Sequence, residues 1–197
     1  MTMINAAFFS QEELIEIGFR KVGRGSRIHK SCIVVGVENI SIGDNVRIDG
    51  FTSIIASGKG FLNLGSHIHI ASHCHLGAGA GINMDDFSGL AYGTQIHSMS
   101  DDYDGHFLTN STIPVEYKNI ESGVVYIGKH SIIGASSVIL PGIRIKTGCS
   151  VGAMSLVNKC LDEWSIYVGC PVKKIRDRTV IPLELEEKFI EDWNNRV

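Results

Sequence analysis

The sequence has few prolines, little net charge and no long apolar run. Four prolines among 197 residues exclude a proline-rich or collagen-like chain. The 18 basic and 21 acidic residues give a formal net charge of −3, which lacks the positive footprint of a protein that binds nucleic acid or an anionic membrane. No apolar run approaches the roughly 18 residues that span a bilayer, so we expect no membrane insertion.

The sequence also lacks a recognisable secretion signal and paired cysteine motifs. Residues 1–9 have no basic segment followed by a long apolar core, so they do not resemble a secretory signal. The five cysteines form an odd set without a Cys-x-x-Cys pair, which favours reduced thiols and a cytoplasmic protein. These cysteines are Cys32, Cys74, Cys149, Cys160 and Cys170.

Glycine is in excess: 22 of the 197 residues are glycine, about 11%, where about 7% is usual. Many glycines with few prolines favour tight turns between short strands. An aliphatic residue also recurs at every sixth position, often followed by glycine, and we call these residues openers. The later openers are Ile127, Ile133, Ile139, Ile145, Val151 and Val157. Earlier runs with the same step are Ile42, Ile48 and Ile54, then Leu64, Ile70, Leu76 and Ile82, then Leu90 and Ile96.

A period of six fits neither an α-helix nor a plain alternating strand. In a helix, successive openers would be about 240° apart and could not share one face. A short strand plus a turn in every six residues fits, and three such units close a triangular coil. Openers 18 positions apart, such as Ile127 and Ile145 or Ile133 and Val151, would then stack in the core. We therefore predict an all-β fold whose parallel strands pair from coil to coil.

The two ends of the chain carry helix signals. Ser10 and Glu13 form a capping box ahead of apolar residues, which predicts a helix over residues 11–20. Pro182 opens a second helical pattern that runs through Trp193. Both ends of a β-helix are exposed strand edges, so we expect these helices to cap the coils or to pack between subunits.

The repeat breaks between Ile96 and Ile127, a gap too long for a simple turn. A coil tolerates insertions only at its corners, and long ordered insertions are often functional. We expect an ordered arm that covers a site. The predicted organisation is a helical cap over 1–27, a β-helix over 28–175 with the loop 97–126, and a C-terminal helix over 176–197.

Two motifs identify a family. Residues 133–142 read I-G-A-S-S-V-I-L-P-G, and residues 167–176 read Y-V-G-C-P-V-K-K-I-R. Together with the period of six over about residues 28–175, they resemble the hexapeptide-repeat acyltransferases, whose fold is a left-handed parallel β-helix. The resemblance implies acetyl-CoA or another acyl-CoA as co-substrate, no metal, and a homotrimer with the CoA groove between subunits.

The resemblance also implies residues that bind the cofactor. The backbone N–H of Ala135 matches the position that donates to the thioester oxygen. Four residues match the groove for the pantetheine arm, namely Gly134, Ala153, Asn158 and Lys159. Lys173 and Arg176 match basic positions near the nucleotide end of CoA, where phosphates need cations.

The base that accepts the proton of the acceptor stays open between candidates. In the family, a histidine of the long loop takes this role, and His97 lies at the loop entrance. A second alignment, counted back from Asp104-Gly105, places Asp101 at that position instead. If the acceptor is an amine, Asp101 could orient it and the departing CoA sulfur could take the proton. For the acceptor itself we expect contacts from Ser88, Asp102 and Glu121.

The predicted function is acyl transfer, most often of acetyl, to the amino group of a nucleotide-linked amino sugar in surface-polysaccharide synthesis. The segment 100–103 resembles the branch of the family with such acceptors. An alternative is O-acetylation of a sugar hydroxyl. Two rival classes are a non-catalytic scaffold and a metal-dependent enzyme of the carbonic-anhydrase type, suggested by His67, His69, His73 and His75. Because His67 and His73 are six apart, they should lie on different faces, which argues against one shared metal site.

Overall fold

Short β-strands make up most of the regular structure. The computed structural model describes residues 7–194. The α-helices are α1, Gln11–Ile17, and α2, Ile181–Asn194, and two 3-10 helices span Val37–Asn39 and Val115–Tyr117. Over residues 7–194, no helix has the length and apolarity needed to cross a membrane. The strands in chain order are β1 Phe8–Phe9, β2 Lys21–Val22, β3 Arg27–His29, β4 Ile33–Val35, β5 Ile40–Ile42, β6 Arg47–Ile48, β7 Ser53–Ile55, β8 Leu62–Leu64, β9 His69–Ile70, β10 His75–Gly77, β11 Ile82–Met84, β12 Gly89–Leu90, β13 Gln95–His97, β14 Met99–Ser100, β15 Glu121–Ser122, β16 Val125–Ile127, β17 Ile132–Ile133, β18 Val138–Ile139, β19 Arg144–Ile145, β20 Ser150–Val151, β21 Leu156–Val157, β22 Ser165–Val168 and β23 Lys173–Asp177.

Three large sheets follow one repeating order along the chain. Sheet A runs β1-β3-β6-β9-β12-β17-β20-β22-β23. Sheet B runs β2-β5-β8-β11-β16-β19, and sheet C runs β4-β7-β10-β13-β18-β21. The chain passes from sheet B to A to C and back again, so each circuit is one coil of a three-sided β-helix. The predicted all-β fold of coils with parallel pairing is confirmed.

The coils stack in register through parallel strand pairs. Ile127 pairs with Ile145 and Ile133 with Val151, which confirms the predicted stacking of openers 18 positions apart. Before the long loop the coils are longer, with 20 or 22 positions between paired openers. Among the described strands, antiparallel pairs are confined to β1 with β3, β14 with β15, and β22 with β23.

The extra residues of the longer coils all enter between sheet C and sheet B, a position we call the CB corner. The step from Leu76 to Met84 is eight residues, and the step from Ile96 to Ile127 is 31. Ile82 pairs with Leu62, the first residue of β8, whereas Met84 pairs with the opener Leu64. Met84 rather than Ile82 therefore occupies the opener position of β11, and the eight-residue step lies before it. The other two corners keep the six-residue step, so the long loop uses the one corner that already accepts insertions.

The core is a column of stacked openers. Every opener from Ile42 to Val157 is at most 5% exposed. Burial of each such aliphatic side chain contributes about 1.5–3 kcal/mol before the entropy of ordering is counted. Buried hydroxyls link the coils as well: Ser131 Oγ donates to the carbonyl of Lys146 at 3.0 Å and accepts from the N–H of Cys149 at 3.2 Å. This hydroxyl thus satisfies backbone groups at one corner of two successive coils.

The glycine that follows many openers lies directly against the next coil. A Cβ at Gly128 would be 2.6 Å from the backbone nitrogen of Thr147, and one at Gly134 would be 2.4 Å from that of Ala153. Neither glycine has a positive φ, so the reason for glycine here is the close approach of two backbones. The Ile-Gly pairs in the sequence therefore report coil stacking rather than a flexible turn.

The four clustered histidines separate onto different parts of the coil. His67 and His73 occupy left-handed corner positions, with φ of 58° and 61°. His67 stacks on Phe87 at the corner between sheets B and A, whereas His73 stacks on Phe51 at the corner between sheets A and C. The prediction that His67 and His73 lie on different faces is confirmed. We call these two positions the BA and AC corners.

The terminal segments differ in detail from the predictions. The capping box of Ser10 is present, but α1 ends at Ile17 because Gly18 adopts a left-handed C-cap with φ of 101°. Parallel pairing already begins at β2, within the segment 1–27 that was predicted as a cap. At the other end, the strand β23 occupies the start of the predicted helical segment 176–197, because it pairs antiparallel with β22. Residues 1–6 and 195–197 lie outside the described residues.

The C-terminal helix α2 packs along the aromatic BA corner. Phe189 and Trp193 contact the ring of His67 edge-on, with centroid distances of 4.9 and 5.6 Å. The carboxylate of Glu186 bridges Lys129 Nζ at 2.5 Å and His130 Nε2 at 2.7 Å. The helix therefore covers the corner of several coils, as expected for a packing role.

The stacking glycine supports a direct stability test. We expect Gly128→Ala to destabilise the protein by about 1–3 kcal/mol, because its new Cβ meets backbone atoms that cannot move aside. The midpoint of thermal unfolding should fall by several degrees. The matched control is Gly89→Ala, whose Cβ would find its nearest neighbour at an ordinary 3.4 Å. Equal midpoints for the two variants would contradict the stacking role.

Candidate functional site

The long loop is an ordered arm that leaves sheet C at the CB corner. It connects β13 to β16 and spans residues 98–124, slightly less than the predicted 97–126. Its two ends pair as the antiparallel strands β14 and β15, with Ser100 opposite Glu121. Farther out, the N–H of Leu108 donates to the carbonyl of Tyr117 at 3.0 Å. The loop base is thus closed by a short ribbon that holds its carboxylates near the coil.

A cleft of about 730 Å³ lies between this arm and the outer face of sheet C. It brings together four of the predicted site residues, namely His97, Asp101, Glu121 and Asn158. Lys118 adds a cation, and Leu140 belongs to the apolar part of the lining. A mixed lining with a few convergent polar groups is typical of a small-molecule site.

His97 ends β13 and is half-buried at the cleft. Its Nε2 lies 3.4 Å from Oε1 of Gln95, and its ring centroid lies 5.2 Å from that of His75. Burial, and next the neighbouring His75, lower the pKa of His97 below the ordinary value of histidine. This lowered pKa favours the neutral imidazole, which is the state a general base requires.

The two carboxylates of the cleft, Asp101 and Glu121, differ in their contacts. Asp101 Oδ2 accepts the N–H of Asn110 at 3.0 Å, which directs the carboxylate within the arm. Lys118 Nζ donates to the carbonyl of the same Asn110 at 3.0 Å. Glu121, in β15, is exposed at the cleft. The arrangement provides two carboxylates and one ammonium around a half-buried imidazole.

Asp102 anchors the loop instead of lining the cleft. Its carboxylate accepts backbone N–H groups of Asp104, His106 and Phe107 at 3.1, 2.7 and 2.9 Å. Burial alone would raise the pKa of Asp102, but the hydrogen bonds from Phe107, Asp104 and His106 outweigh it and lower that pKa. Asp102, Asp104 and His106 also form a close group of possible metal ligands, but these backbone hydrogen bonds already account for the position of Asp102. Asp102 thus holds the loop backbone in place, and its expected contact with the acceptor stays a prediction.

Ser88 is not part of the cleft. It is 3% exposed, and its hydroxyl donates to the carbonyl of Asp85 at 2.7 Å. It occupies the inward corner position that small hydroxyl residues fill in other coils. The expected substrate contact from Ser88 is corrected accordingly, because a buried and satisfied hydroxyl cannot meet a sugar.

The residues expected to hold the thioester lie at the AC corner. Gly134 packs against Ala153 of the next coil, and the carbonyl of Ala135 accepts the N–H of Met154 at 2.8 Å. None of Gly134, Ala135 and Ala153 lines the cleft around His97 within one chain. The cleft around His97 and the residues expected to bind the thioester are thus on different sides of the same β-helix.

The expected phosphate-binding cations are exposed at the end of the coil. Lys173 and Arg176 both lie in β23, where they pair with Val168 and Ile166 of β22. Lys159 is exposed beside the cleft residue Asn158. Their side chains are available for a ligand, but the structure does not bring them to His97.

Sequence reasoning missed two contributors. Lys118 lies in the non-repetitive loop, where no spacing rule applies. In the sequence, His75 stands out only as one of four clustered histidines, yet it is half-buried and its ring meets that of His97. The strand register would have indicated this contact. Residue 75 pairs with residue 95 and residue 77 with residue 97, so His75 and His97 are diagonal neighbours on one face of sheet C.

The chain is similar along almost its full length to an enzyme that acylates an amino sugar. It is 36% identical over 183 residues to the dTDP-4-amino-4,6-dideoxy-D-glucose acyltransferase of Escherichia coli, covering 93% of this chain and 95% of that one. The chain belongs to this acyltransferase family. Its expected membership of the hexapeptide-repeat acyltransferases is thereby confirmed, in agreement with the β-helix of parallel stacked coils. No protein-family model matches the chain.

Solved structures of the family agree with the fold in detail. AntD, an N-acyltransferase from Bacillus cereus in complex with dTDP and 3-hydroxybutyryl-CoA, has a TM-score of 0.91 at 43% identity and covers 97% of this chain and 100% of its own. An AntD variant with dTDP-4-amino-4,6-dideoxyglucose and coenzyme A has a TM-score of 0.90 at 44% identity over 94% and 98% of the chains. A maltose O-acetyltransferase from Clostridium difficile, with a TM-score of 0.56 at 21% identity over 85% and 74%, shares the fold alone.

The role of Asp102 can be tested without substrate. We expect Asp102→Ala to speed hydrogen exchange at the amides of residues 104, 106 and 107, because their common acceptor is lost. The matched control is Asp104→Ala, which removes a neighbouring carboxylate that accepts none of these three bonds. Unchanged exchange in Asp102→Ala would contradict the anchoring role.

Proposed function

We propose that the enzyme transfers an acyl group from acyl-CoA to the amino group of a dTDP-linked 4-amino-4,6-dideoxy sugar. One observation carries this proposal: AntD, which matches this chain almost from end to end, holds both coenzyme A and dTDP-4-amino-4,6-dideoxyglucose. The cleft beside sheet C supports it, because a neutral imidazole and a loop carboxylate stand together there.

The chemistry is attack of a neutral amine on a thioester. The amine nitrogen forms a bond to the acyl carbonyl carbon, the carbon–sulfur bond then breaks, and CoA leaves as a thiolate. The extra proton on nitrogen passes to a base, and the thiolate takes up a proton to give free CoA. The protein therefore has to place the amine, stabilise the oxyanion and receive one proton.

We assign the base to His97 and the positioning of the amine to Asp101. Lowered basicity keeps His97 unprotonated at neutral pH, so it can receive the proton from the attacking nitrogen. Asp101 is held by the N–H of Asn110 and can accept a hydrogen bond from the amine. Glu121 contributes a second carboxylate that can contact the acceptor.

The thioester would lie at the AC corner of a neighbouring copy. There the N–H of Ala135 is assigned to the oxyanion, with the pantetheine arm along Gly134 and Ala153. Asn158 and Lys159 continue the groove toward the cleft. Lys173 and Arg176 supply exposed cations for the phosphates of CoA.

A homotrimer unites these two halves of the site. Apolar side chains are exposed where a neighbour would pack: Ile33 on sheet C is 64% exposed, and Phe51 and Met154 at the AC corner are 67% and 78% exposed. A neighbouring copy packed on this side of the coil would bury these side chains. The loop of one copy would then reach the AC corner of the next, as the family resemblance implies.

We place the enzyme in the cytoplasm and in surface-polysaccharide synthesis. Its five cysteines, all within the described residues, are free thiols, as expected of a reducing compartment. The Escherichia coli protein WbbJ, whose name assigns it to lipopolysaccharide biosynthesis, is 26% identical over 71% of this chain.

An acceptor series tests the reaction. With acetyl-CoA, we expect release of CoA thiol with dTDP-4-amino-4,6-dideoxyglucose, and a product heavier by one acetyl group in mass spectrometry. The control acceptor is dTDP-glucose, which has a hydroxyl in place of the amine. Thiol release with dTDP-glucose alone would replace N-transfer by O-transfer, and release with neither acceptor would refute the proposal.

Two substitutions separate the assigned roles. We expect His97→Asn to lower kcat by about 10²-fold or more, the scale of a lost general base. Asp101→Asn should mainly raise KM for the amino sugar, because the amide retains shape but loses the charge. The acid limb of the kcat/KM profile in the wild type should lie below the ordinary pKa of histidine, since the folded-state pKa of His97 is lowered. Unchanged turnover of His97→Asn would assign the role of base to Asp101 or to the CoA sulfur instead.

A further inference from the structure

Three side chains on the outer face of sheet C form a continuous row that ends at His97. Ser53 of β7 pairs in register with His75 of β10, and His75 pairs with Gln95 of β13. His75 Nδ1 lies 2.7 Å from Ser53 Oγ. On its other side, the ring of His75 lies 5.2 Å from that of His97, inclined at 41°.

A gap at Gly77 makes this contact possible. Gly77 is the residue directly opposite His97 in the ladder, so a side chain there would stand between the two rings. A Cβ on Gly77 would lie 3.2 Å from Nε2 of His75. The imidazole of His75 therefore leans over the glycine, toward His97 and along the strand. Ser53 holds the far edge of the ring in that tilt.

We propose that His75 is a positioning residue that acts through His97, holding its imidazole in place at the cleft by a direct ring contact. The proposal rests on the assignment of His97 as the base under the proposed function. His75 itself lines no part of the cleft, so it is not expected to touch the sugar or the thioester.

The physical reason is the proximity of two rings that can both become cations. A proton on either ring disfavours a proton on the other, and the partial burial of both adds to this effect. The charged groups that share the cleft with His97 are Asp101, Glu121 and Lys118, and Tyr103 also lines it. Of the groups around His97, His75 is the charged neighbour that lowers its pKa, after burial itself. His75 is the one that contacts the ring directly from the neighbouring strand.

The test measures the titration of His97 itself. Proton NMR of the histidine rings is recorded against pH in the wild type and in His75→Gln, with the His97 signal assigned from His97→Asn. We expect the titration midpoint of His97 to move upward in His75→Gln, toward the ordinary histidine value. The matched control is His69→Gln, which removes an imidazole of the same coil that lies on sheet A and bonds Asp49. It should leave the midpoint unchanged.

Kinetics then separate a positioning role from simple packing. In His75→Gln we expect kcat at pH 7 to fall by about threefold to tenfold with little change in the KM for acyl-CoA. The acid limb of the pH profile should shift to higher pH in parallel with the NMR midpoint. Ser53→Ala, which removes only the anchor of the ring, should reproduce a smaller shift in the same direction. It provides the test if His75→Gln fails to fold.

An unmoved His97 midpoint in a folded His75→Gln variant, or in Ser53→Ala where His75→Gln does not fold, would overturn the proposal. So would a loss of activity without any shift of the pH profile, because lost packing would then explain it. The titration needs no substrate, so it distinguishes this proposal from the function. A shifted midpoint in a protein that releases no thiol with any acceptor would confirm the contact and refute the reaction.

Discussion

Close contact between backbones of successive coils is the constraint on which the rest of the structure depends. Glycines such as Gly128 and Gly134 leave no room for a Cβ, because the next coil passes within about 2.4–2.6 Å of where it would stand. The openers then stack in one buried column, and the parallel ladders satisfy the backbone between coils. A residue inserted within a strand would shift that register, so length can vary only at a corner.

The location of the candidate site depends on the corner of the coil at which insertions are tolerated. Every additional residue enters at the CB corner, and the largest insertion is the arm over sheet C. The arm is held together by the pairing of β14 with β15 and by the backbone hydrogen bonds that Asp102 accepts. The rigid coil supplies His97 and its neighbour His75, while the arm supplies Asp101 and Glu121. Under the proposed function, proton acceptance and substrate positioning are carried by different parts of the chain, one a coil strand and one the inserted arm.

Much of the fold was predictable because its determinant is periodic. The step of six identified the buried column from Ile127 to Val157 and the different faces of His67 and His73. The loop was predictable as a break in that period, but its interior was not. Lys118 and the anchoring role of Asp102 depend on hydrogen bonds to Asn110 and to residues 104–107, which have no repeat to reveal them.

Other errors arose because the position of a residue in the sequence does not show whether its side chain points into the coil or out of it. Ser88 is polar and close in sequence to the site, yet its side chain points into a corner and is buried. The strand β23 replaced part of a predicted helix because the last coil presents an open edge that an antiparallel strand can pair with. The contact of His75 with His97 required the register of two coils of unequal length.

The most direct test of the account is a crystal structure of the protein with coenzyme A and dTDP-4-amino-4,6-dideoxyglucose bound together. The account predicts a trimer in which the amine lies within hydrogen-bond distance of His97 or Asp101 of one copy, while the CoA sulfur lies beside Ala135 of the next. Ligands bound away from the cleft, or a complete site within one separate chain, would contradict it.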